Sequence, residues 1–274
     1  MPLHWIKKRI RFPRPASASH NFEQYVSSVP GEQNAIDAMA GWKTSFPPNY
    51  GLKAGSLATY NDPRIFWAIE RFGSLEGRHV LELGPLDGGH TSMLEAAGAR
   101  VDAIEANRLA FMRCLITKEI LGLTRSKFWL GDFVKALENW QQRYDLIVAS
   151  GVLYHLDDPL RFLELAAKRT DALYLWTHVL TTEPMPLWDL RRMFQRKVEN
   201  YRFHGIDVRA YRRTYGHAAD DVTFCGGIND AHCWLHRDDL LKALEVLGFQ
   251  DIRIAHEQPD HAHGPALSIF ARKS

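Results

Sequence analysis

The stretch HVLELGPLDGGHTSMLEAAGARVDAIEAN, residues 79–107, decides the fold of this chain. It places two glycine turns and two acids among short apolar runs, with Glu82 near the end of the first run and Glu105 at the end of the second. Glycines in such a turn let the backbone approach a ligand that a side chain would exclude. Glu105 follows Gly84 by 21 positions (105 − 84), a spacing at which an acid can bind ribose hydroxyls. The stretch therefore predicts a strand–helix–strand unit that binds a nucleoside-containing ligand.

A dinucleotide is the first ligand to test against this loop. The pattern G-x-G-x-x-G requires a second glycine at position 86, where the chain has Leu86, although Gly89 stands at the third position. The fit to NAD is therefore poor, and Pro85 and Leu86 have to make the turn without the middle glycine.

Strand and helix patterns alternate outward from this unit. Strands are predicted over residues 80–83, 101–105, 127–130, 144–150 and 172–179. Helices are predicted over residues 62–72, 90–97, 109–121, 133–140 and 158–168. Near the end of the chain, a helix with an apolar face is followed by two more strands, at 249–256 and 266–273. Such alternation indicates parallel strands with right-handed crossovers, which is a doubly wound α/β sheet.

Two segments fall outside this rhythm. Residues 1–60 are rich in proline, serine and glycine, and we interpret them as an N-terminal arm with short helices near 22–28 and 33–39. Residues 61–274 form the main domain, with a basic, aromatic insert at about 181–229.

The composition is that of a globular protein. The 274 residues are 46% hydrophobic and 24% charged, with a net charge of +2 that gives no whole-chain argument for nucleic acid or an anionic membrane. Three cysteines cannot make a paired disulfide framework, which favours a reducing interior. No apolar run approaches the length of about 18 residues of a membrane span, and no signal-peptide pattern is seen. We therefore expect a soluble, cytoplasmic protein.

Four motifs follow one another at the ends of the predicted strands. They are Glu82-Leu-Gly84, Glu105-Ala106-Asn107, Gly131-Asp132-Phe133 and, over residues 144–159, YDLIVASGVLYHLDDP. With them, residues 61–179, and less closely 234–273, resemble the class I S-adenosylmethionine-dependent methyltransferases. The resemblance implies a Rossmann-like, seven-stranded, mostly parallel sheet with an antiparallel last strand, and S-adenosyl-L-methionine as the cofactor.

The resemblance also implies roles for individual residues. Glu105 would bind the ribose, and Asp132 and Phe133 would hold the edge and face of the adenine. The residues implied to bind the cofactor are Glu82, Gly84, Pro85, Gly88, Glu105, Ala106, Asn107, Asp132, Phe133, Ser150 and Tyr154.

The sequence SGVLYHLDDPL, residues 150–160, looks like the branch that contains the tRNA wobble-uridine carboxymethyltransferase. By this resemblance Ser150 and Tyr154 would flank the sulfonium, and His155 would border the acceptor pocket. Two other segments of that enzyme have no clear match here, a lysine- and tryptophan-bearing one before the first strand and a C-terminal arginine. Ordinary S-adenosylmethionine is therefore expected rather than its carboxymethyl form.

Methyl transfer needs a base only when the acceptor carries a proton that must leave. His155 is the first candidate, because it lies just past the end of a parallel strand, where ligands collect. The alternative is a loop histidine that binds backbone. Tyr154 is expected to shape the pocket, and His178, at the end of the fifth strand, is the second candidate base.

The insert combines cations with aromatic rings. Its cations are Arg191, Arg192, Arg196, Lys197, Arg202, Arg209, Arg212 and Arg213, against Glu199 and Asp207. Its aromatic residues are Phe194, Tyr201, Phe203, Tyr211 and Tyr215. One interpretation is a solvated helical lid; the other is an acceptor site for an anionic substrate such as RNA, a nucleotide sugar or a lipid head group.

Other chemistries lack their residues. Cys225, His232, Cys233 and His236 match no common zinc finger, and no metal site is predicted. No cysteine nucleophile or amino-methylation signature follows the fourth strand. The predicted function is methyl transfer from S-adenosylmethionine to a small-molecule acceptor, with an anionic acceptor and a tRNA both open. The rivals are a tRNA-modifying methyl- or carboxymethyltransferase and a non-catalytic cofactor-binding module. The oligomeric state is left open.

Overall fold

The computed structural model describes residues 25–181, 197–216 and 226–274. Its helices are α1 (Glu32–Asp37), α2 (Pro63–Phe72), α3 (Gly89–Ala96), α4 (Arg108–Leu121), α5 (Phe133–Asn139), α6 (Pro159–Arg169) and α7 (Arg237–Val246). Its strands are β1 (His79–Leu83), β2 (Arg100–Glu105), β3 (Ser126–Leu130), β4 (Leu146–Ser150), β5 (Ala172–His178), β6 (Lys197–Phe203), β7 (Ile206–Thr214), β8 (Ala231–Leu235), β9 (Phe249–Gln258) and β10 (Ala266–Lys273).

Seven strands form the main sheet, in the order β3-β2-β1-β4-β5-β10-β9. The first five are parallel, whereas β10 runs antiparallel to both β5 and β9. This confirms the predicted Rossmann-like sheet. Since the strand order reverses between β1 and β4, the carboxyl ends of these two strands border the crevice where such folds bind ligands.

Helices cover both faces of the sheet. Leu81 and Ile147 pack on the side of α6, and Val80 and Leu146 pack on the side of α2 and α3. Every residue of β5 is buried, as expected for a central strand covered on both faces. Within the described ranges, no helix is long and apolar enough to cross a membrane.

The described part of the insert contributes β6 and β7 to a small antiparallel sheet, in the order β6-β7-β8, whose third strand follows the insert. His204 and Gly205 connect β6 to β7 with φ angles of 45° and 87°, the positive pair typical of a tight two-residue hairpin. The interpretation of the insert as a helical lid is therefore wrong for residues 197–214. Arg191, Arg192, Phe194 and Arg196 lie outside the described residues.

The described part of the N-terminal arm is tied to the loop after β1. Asp87 is fully buried, and its carboxylate accepts hydrogen bonds from the backbone N–H groups of Lys43 (2.7 Å) and Thr44 (2.9 Å). The same carboxylate accepts from Arg113 Nε at 2.6 Å, and Arg113 also donates to the carbonyl of Ala40. The helix predicted near 33–39 is present as α1, but residues 25–30 contain no helix; residues 1–24 lie outside the described ranges.

Candidate functional site

The loop between β1 and α3 turns through three residues with positive φ, Gly84 (65°), Leu86 (59°) and Gly88 (83°). A Cβ on Gly84 would lie 2.6 Å from Val152 Cγ1, so the loop and the segment after β4 are in close contact. Only glycine fits there without moving Val152. Leu86 makes the turn that the missing middle glycine would otherwise make.

Two buried acids stand beside this loop. Glu82 accepts a hydrogen bond from the hydroxyl of Thr91, and its burial raises the pKa of the carboxyl to about 7. Glu105 accepts from the backbone N–H groups of Asn107 (2.8 Å) and Leu86 (3.2 Å). Its burial raises the carboxyl pKa, and these backbone donors oppose the rise. Glu105 therefore lies against the loop that contains Gly84, as the spacing predicts.

The other residues expected at the cofactor site follow the neighbouring strands. Asn107 caps α4, accepting from the N–H groups of Leu109 and Ala110, and Asp132 caps α5. Phe133 packs against Phe162, with ring centroids 5.8 Å apart, so its ring also contributes to the core. Pro85, Ala106 and Ser150, which the sequence also predicts at the cofactor site, lie at the same edge of the sheet.

A set of rings, here named the aromatic cluster, covers the carboxyl ends of β4 and β5. It consists of Tyr154, Trp176, His178, Trp234 and His261. His178 stacks on Trp234, with ring centroids 5.0 Å apart and an angle of 13° between the planes. Tyr154 meets His178 edge-on at 4.5 Å. Because Tyr154 lies two residues after Val152, the cluster begins next to the loop of Gly84.

His178 is held as a neutral ring. Its Nδ1 lies 2.9 Å from the carbonyl oxygen of Gly264, and a carbonyl can only accept, so Nδ1 carries the proton. The lone pair of the ring is therefore on Nε2. Burial lowers the pKa of His178 to about 4, and the nearby His261 and His263 add to this effect.

His155 lies beside the cluster and contacts the insert. Its Nδ1 is hydrogen-bonded to the hydroxyl of Tyr215, which also accepts from the N–H of Gly227 at 3.1 Å. Tyr215 in turn stacks on His232 at 4.1 Å. Burial lowers the pKa of His155 to about 3. His155 thus connects the segment after β4 to the insert, and one of its two nitrogens is already used.

Two cations lie over the tryptophans of the aromatic cluster. The guanidinium of Arg64 is 4.5 Å from the ring of Trp176, and that of Arg213 is 3.9 Å from the ring of Trp234. Arg64 also pairs with Asp62 at 2.5 Å. Arg213 is buried, so its position is fixed by packing as well as by charge.

The remaining described arginines of the insert are bound to carboxylates. Arg202 pairs with Asp207 and Arg209 with Asp239. Arg212 pairs with Asp157 and Glu199. Arg212 and Arg213 alternate along β7, opposite Cys233 and His232 of β8, and so lie on opposite faces of the small sheet. They do not act as one patch.

Sequence patterns do not reveal several residues of this site. Trp234 belongs to β8, whose pairing with the insert has no local signal, and Arg64 enters the site from the first turn of α2. His232 and Cys233 point to opposite faces of β8. In the part of the chain that the structure describes, no group of three or more His, Cys, Asp or Glu side chains has metal-binding geometry. Cys225 lies outside the described residues.

Comparison with known proteins identifies the family. Residues 57–254 match the family model described as a methyltransferase domain. This match spans more than half of the chain, so the chain belongs to that family, and the sheet order confirms the class I fold of S-adenosylmethionine-dependent methyltransferases. The protein is a methyltransferase of this type. None of the curated proteins matches the chain significantly.

Solved structures share the fold at low sequence identity. The N-terminal domain of EvdMO1, crystallised in the presence of S-adenosylhomocysteine and D-fucose, is 21% identical with a TM-score of 0.67, over 88% of this chain and 95% of that chain. Magnesium protoporphyrin IX methyltransferase from Synechocystis PCC 6803, with bound S-adenosylhomocysteine, is 19% identical with a TM-score of 0.51, over 77% and 80% of the two chains. A 1,6-didemethyltoxoflavin N1-methyltransferase from Burkholderia thailandensis is 16% identical with a TM-score of 0.51, over 79% of each chain.

Proposed function

We propose that this methyltransferase binds S-adenosylmethionine between the loop of Gly84 and Glu105 and transfers its methyl group to a small ring-shaped acceptor in the aromatic cluster. The observation that carries this proposal is the contact between the two sites. Gly84 lies against Val152, and Tyr154, two residues later, is already part of the cluster. A cofactor on the loop would therefore present its methyl group beside the rings of Tyr154 and His178.

The cofactor side of the proposal uses the residues expected from the sequence. Glu105 lies at the end of β2, where its carboxylate would accept hydrogen bonds from the ribose hydroxyls. Asp132 at the end of β3 would hold the adenine, and Ser150 at the end of β4 would lie near the sulfonium. Asn107 and Ala106 would support Glu105, and Pro85 and Gly88 would shape the loop around Glu82 and Gly84.

The acceptor side is supported by the chemistry of the cluster. His178 in the cluster is neutral. Three arginines of the insert, Arg202, Arg209 and Arg212, are already paired with carboxylates. This supports a ring-shaped acceptor, on which Arg64 and Arg213, the two cations over the tryptophans of the cluster, could also bind an anionic group. Two of the structural neighbours were crystallised with ring compounds, D-fucose and 1,6-didemethyltoxoflavin, which agrees with a ring-binding site.

Cofactor binding is tested with Glu105. Replacing Glu105 by Gln should weaken S-adenosylhomocysteine binding by about 1.5–3 kcal/mol, the range for hydrogen bonds to a charged group. Isothermal titration calorimetry gives the affinity, and Glu119→Gln, an exposed glutamate on α4, is the matched control. Equal affinities in wild type and Glu105→Gln, with both proteins folded, would remove Glu105 from the cofactor site.

The rival reading is a tRNA-modifying methyl- or carboxymethyltransferase. Transfer of label from S-adenosylmethionine to a small-molecule pool and to a tRNA pool separates the two. We expect label in the small-molecule pool at moderate salt. Label in tRNA, with binding that weakens steeply as salt rises, would favour the tRNA enzyme instead.

A further inference from the structure

The indole of Trp234 carries a hydrogen-bond donor without an acceptor. Trp234 is 4% exposed, and its Nε1–H has no partner among the described residues. A buried donor left in this state costs about 1–3 kcal/mol. Trp234 stacks on His178, whose Nε2 carries a lone pair. Adjacent rings of the cluster thus offer one donor and one acceptor.

We propose that the acceptor atom is a hydroxyl oxygen on the ring of the substrate, bound by Trp234 Nε1–H and giving its proton to His178 Nε2. The proposal rests on the proposed function, because it requires the acceptor to bind in the aromatic cluster. It adds the chemical identity of the methylated atom and a substrate-binding role for Trp234.

The donor and acceptor pair selects a hydroxyl over other nucleophiles. A hydroxyl oxygen has two lone pairs, so one accepts from the indole while the other attacks the methyl carbon, and its hydrogen points to the imidazole. A neutral amine has a single lone pair, which the indole N–H would occupy. A carboxylate has no proton for His178, and a thiol sulfur is a weak acceptor for the indole.

The step balances as a single displacement. The hydroxyl oxygen attacks the methyl carbon of S-adenosylmethionine, so that the C–O bond forms as the C–S bond breaks. The sulfonium becomes the thioether of S-adenosylhomocysteine, and the hydroxyl proton moves to His178 Nε2. His178 becomes an imidazolium, whose Nδ1–H remains bound to the carbonyl of Gly264. The imidazolium then releases its proton to solvent.

The position of the transferred methyl group tests the assignment. The wild-type protein is incubated with [methyl-13C]S-adenosylmethionine and a protein-free cell extract, alongside methyl β-D-galactopyranoside and phenol as defined probes. We expect the labelled carbon to show the chemical shift of a methyl ether. An aliphatic ether would identify a sugar-type hydroxyl, and an aryl ether would identify a phenol.

The other outcomes separate the two proposals. A labelled methyl on nitrogen, sulfur, carbon or a carboxylate would overturn the hydroxyl assignment and leave the proposed function standing. If S-adenosylhomocysteine binds but no methyl group is transferred to any compound, both proposals are overturned. Failure to bind S-adenosylhomocysteine would defeat the proposed function itself.

Two substitutions test the individual roles. Trp234→Phe keeps a stacked ring and removes the donor, so the acceptor KM should rise about tenfold or more while S-adenosylhomocysteine affinity stays constant. His178→Gln should lower kcat about a hundredfold or more. Trp140→Phe, beside Trp129 and outside the cluster, is the matched control. A Trp234→Phe enzyme with wild-type KM and kcat would refute the role of the indole.

Discussion

Leu86 stands in the loop after β1 at the position where the dinucleotide-binding pattern has its second glycine. Its φ of 59° lies in the left-handed region, which costs a residue with a side chain about 1–2 kcal/mol. The cost is higher for a β-branched side chain, because its second γ substituent crowds the backbone. The backbone strain at this turn therefore depends on which side chain stands at position 86.

This strain predicts opposite behaviour for two substitutions. Leu86→Val should lower the free energy of unfolding by about 1–2 kcal/mol, whereas Leu86→Gly should change it by less than about 1 kcal/mol. Urea denaturation of the two variants measures both values. A Val variant as stable as the Gly variant would show that backbone strain does not limit this position.

At the scale of elements, strand β7 separates two arginines that are adjacent in sequence. Arg212 is bound to Asp157 and Glu199 on one face, and Arg213 lies over Trp234 on the other. We expect Arg213→Ala to raise the acceptor KM, because it removes a cation packed on a ring of the proposed acceptor site. Arg212→Ala should leave the KM unchanged and cost less than about 1 kcal/mol of stability, as partly exposed ion pairs do.

Steady-state kinetics of the two single variants at low and high salt makes this comparison. Because Arg213 is buried, its effect should persist at high salt, where screening removes the contribution of exposed charges. Equal effects of both substitutions on KM would restore the interpretation of the insert as one basic patch.

The arm is held to the loop after β1 by another contact between elements. Asp87 and Arg113 are both buried, and removing one charge of a buried pair costs about 3–5 kcal/mol. Asp87→Asn should therefore destabilise the protein and speed proteolytic cleavage within residues 40–60. Limited proteolysis measures this, with Asp145→Asn in the exposed pair with Arg78 as the control. Unchanged cleavage in Asp87→Asn would show that other contacts hold the arm.

At the scale of the whole molecule, burial shifts the pKa values of histidines and glutamates near the site, and the two kinds of shift affect stability in opposite directions. Burial lowers the pKa of His178 to about 4 and that of His155 to about 3, so both are neutral in the folded protein at neutral pH. Burial raises the pKa of Glu82 to about 7 and also raises that of Glu105. As pH falls below 6.5, the unfolded state binds protons at the histidines more readily, which favours unfolding. The folded state binds protons at the glutamates more readily, which favours folding, so the two effects partly cancel in the free energy of unfolding.

Comparing the stability of wild type and His178→Gln at two pH values isolates the contribution of His178. Unfolded His178 binds a proton below pH 6.5, but the folded residue does so only near 4, so its neutral ring costs stability between these values. When the pH falls from about 7 to about 5, the free energy of unfolding of His178→Gln should therefore rise by about 2 kcal/mol relative to that of wild type. Chemical denaturation at both pH values measures the gain. A constant difference would show that folded His178 binds its proton at the same pH as the unfolded residue, so that burial does not lower its pKa.

The fold of the sheet and the residues of its edge were determined by local sequence. A few neighbouring residues are enough to indicate an apolar strand, a helix cap such as Asn107 or Asp132, or an acid at the end of a strand. The spacing of these features predicts the crevice between β1 and β4. Both described cysteines are free and buried, and the cytoplasmic location expected from the cysteine content stays a prediction.

The aromatic cluster, our proposed acceptor site, was decided by tertiary structure alone. Antiparallel pairing of β7 with β8 brings Arg213 over Trp234, which stacks on His178, and α2 brings Arg64 to Trp176. These contacts join residues tens of positions apart, and the apolar and basic residues involved have no periodicity that distinguishes a cap over the site from a solvated lid. The tautomer of His178 depends on the carbonyl of Gly264, 86 positions away, because a side chain's proton is fixed by the partner it meets in the folded chain.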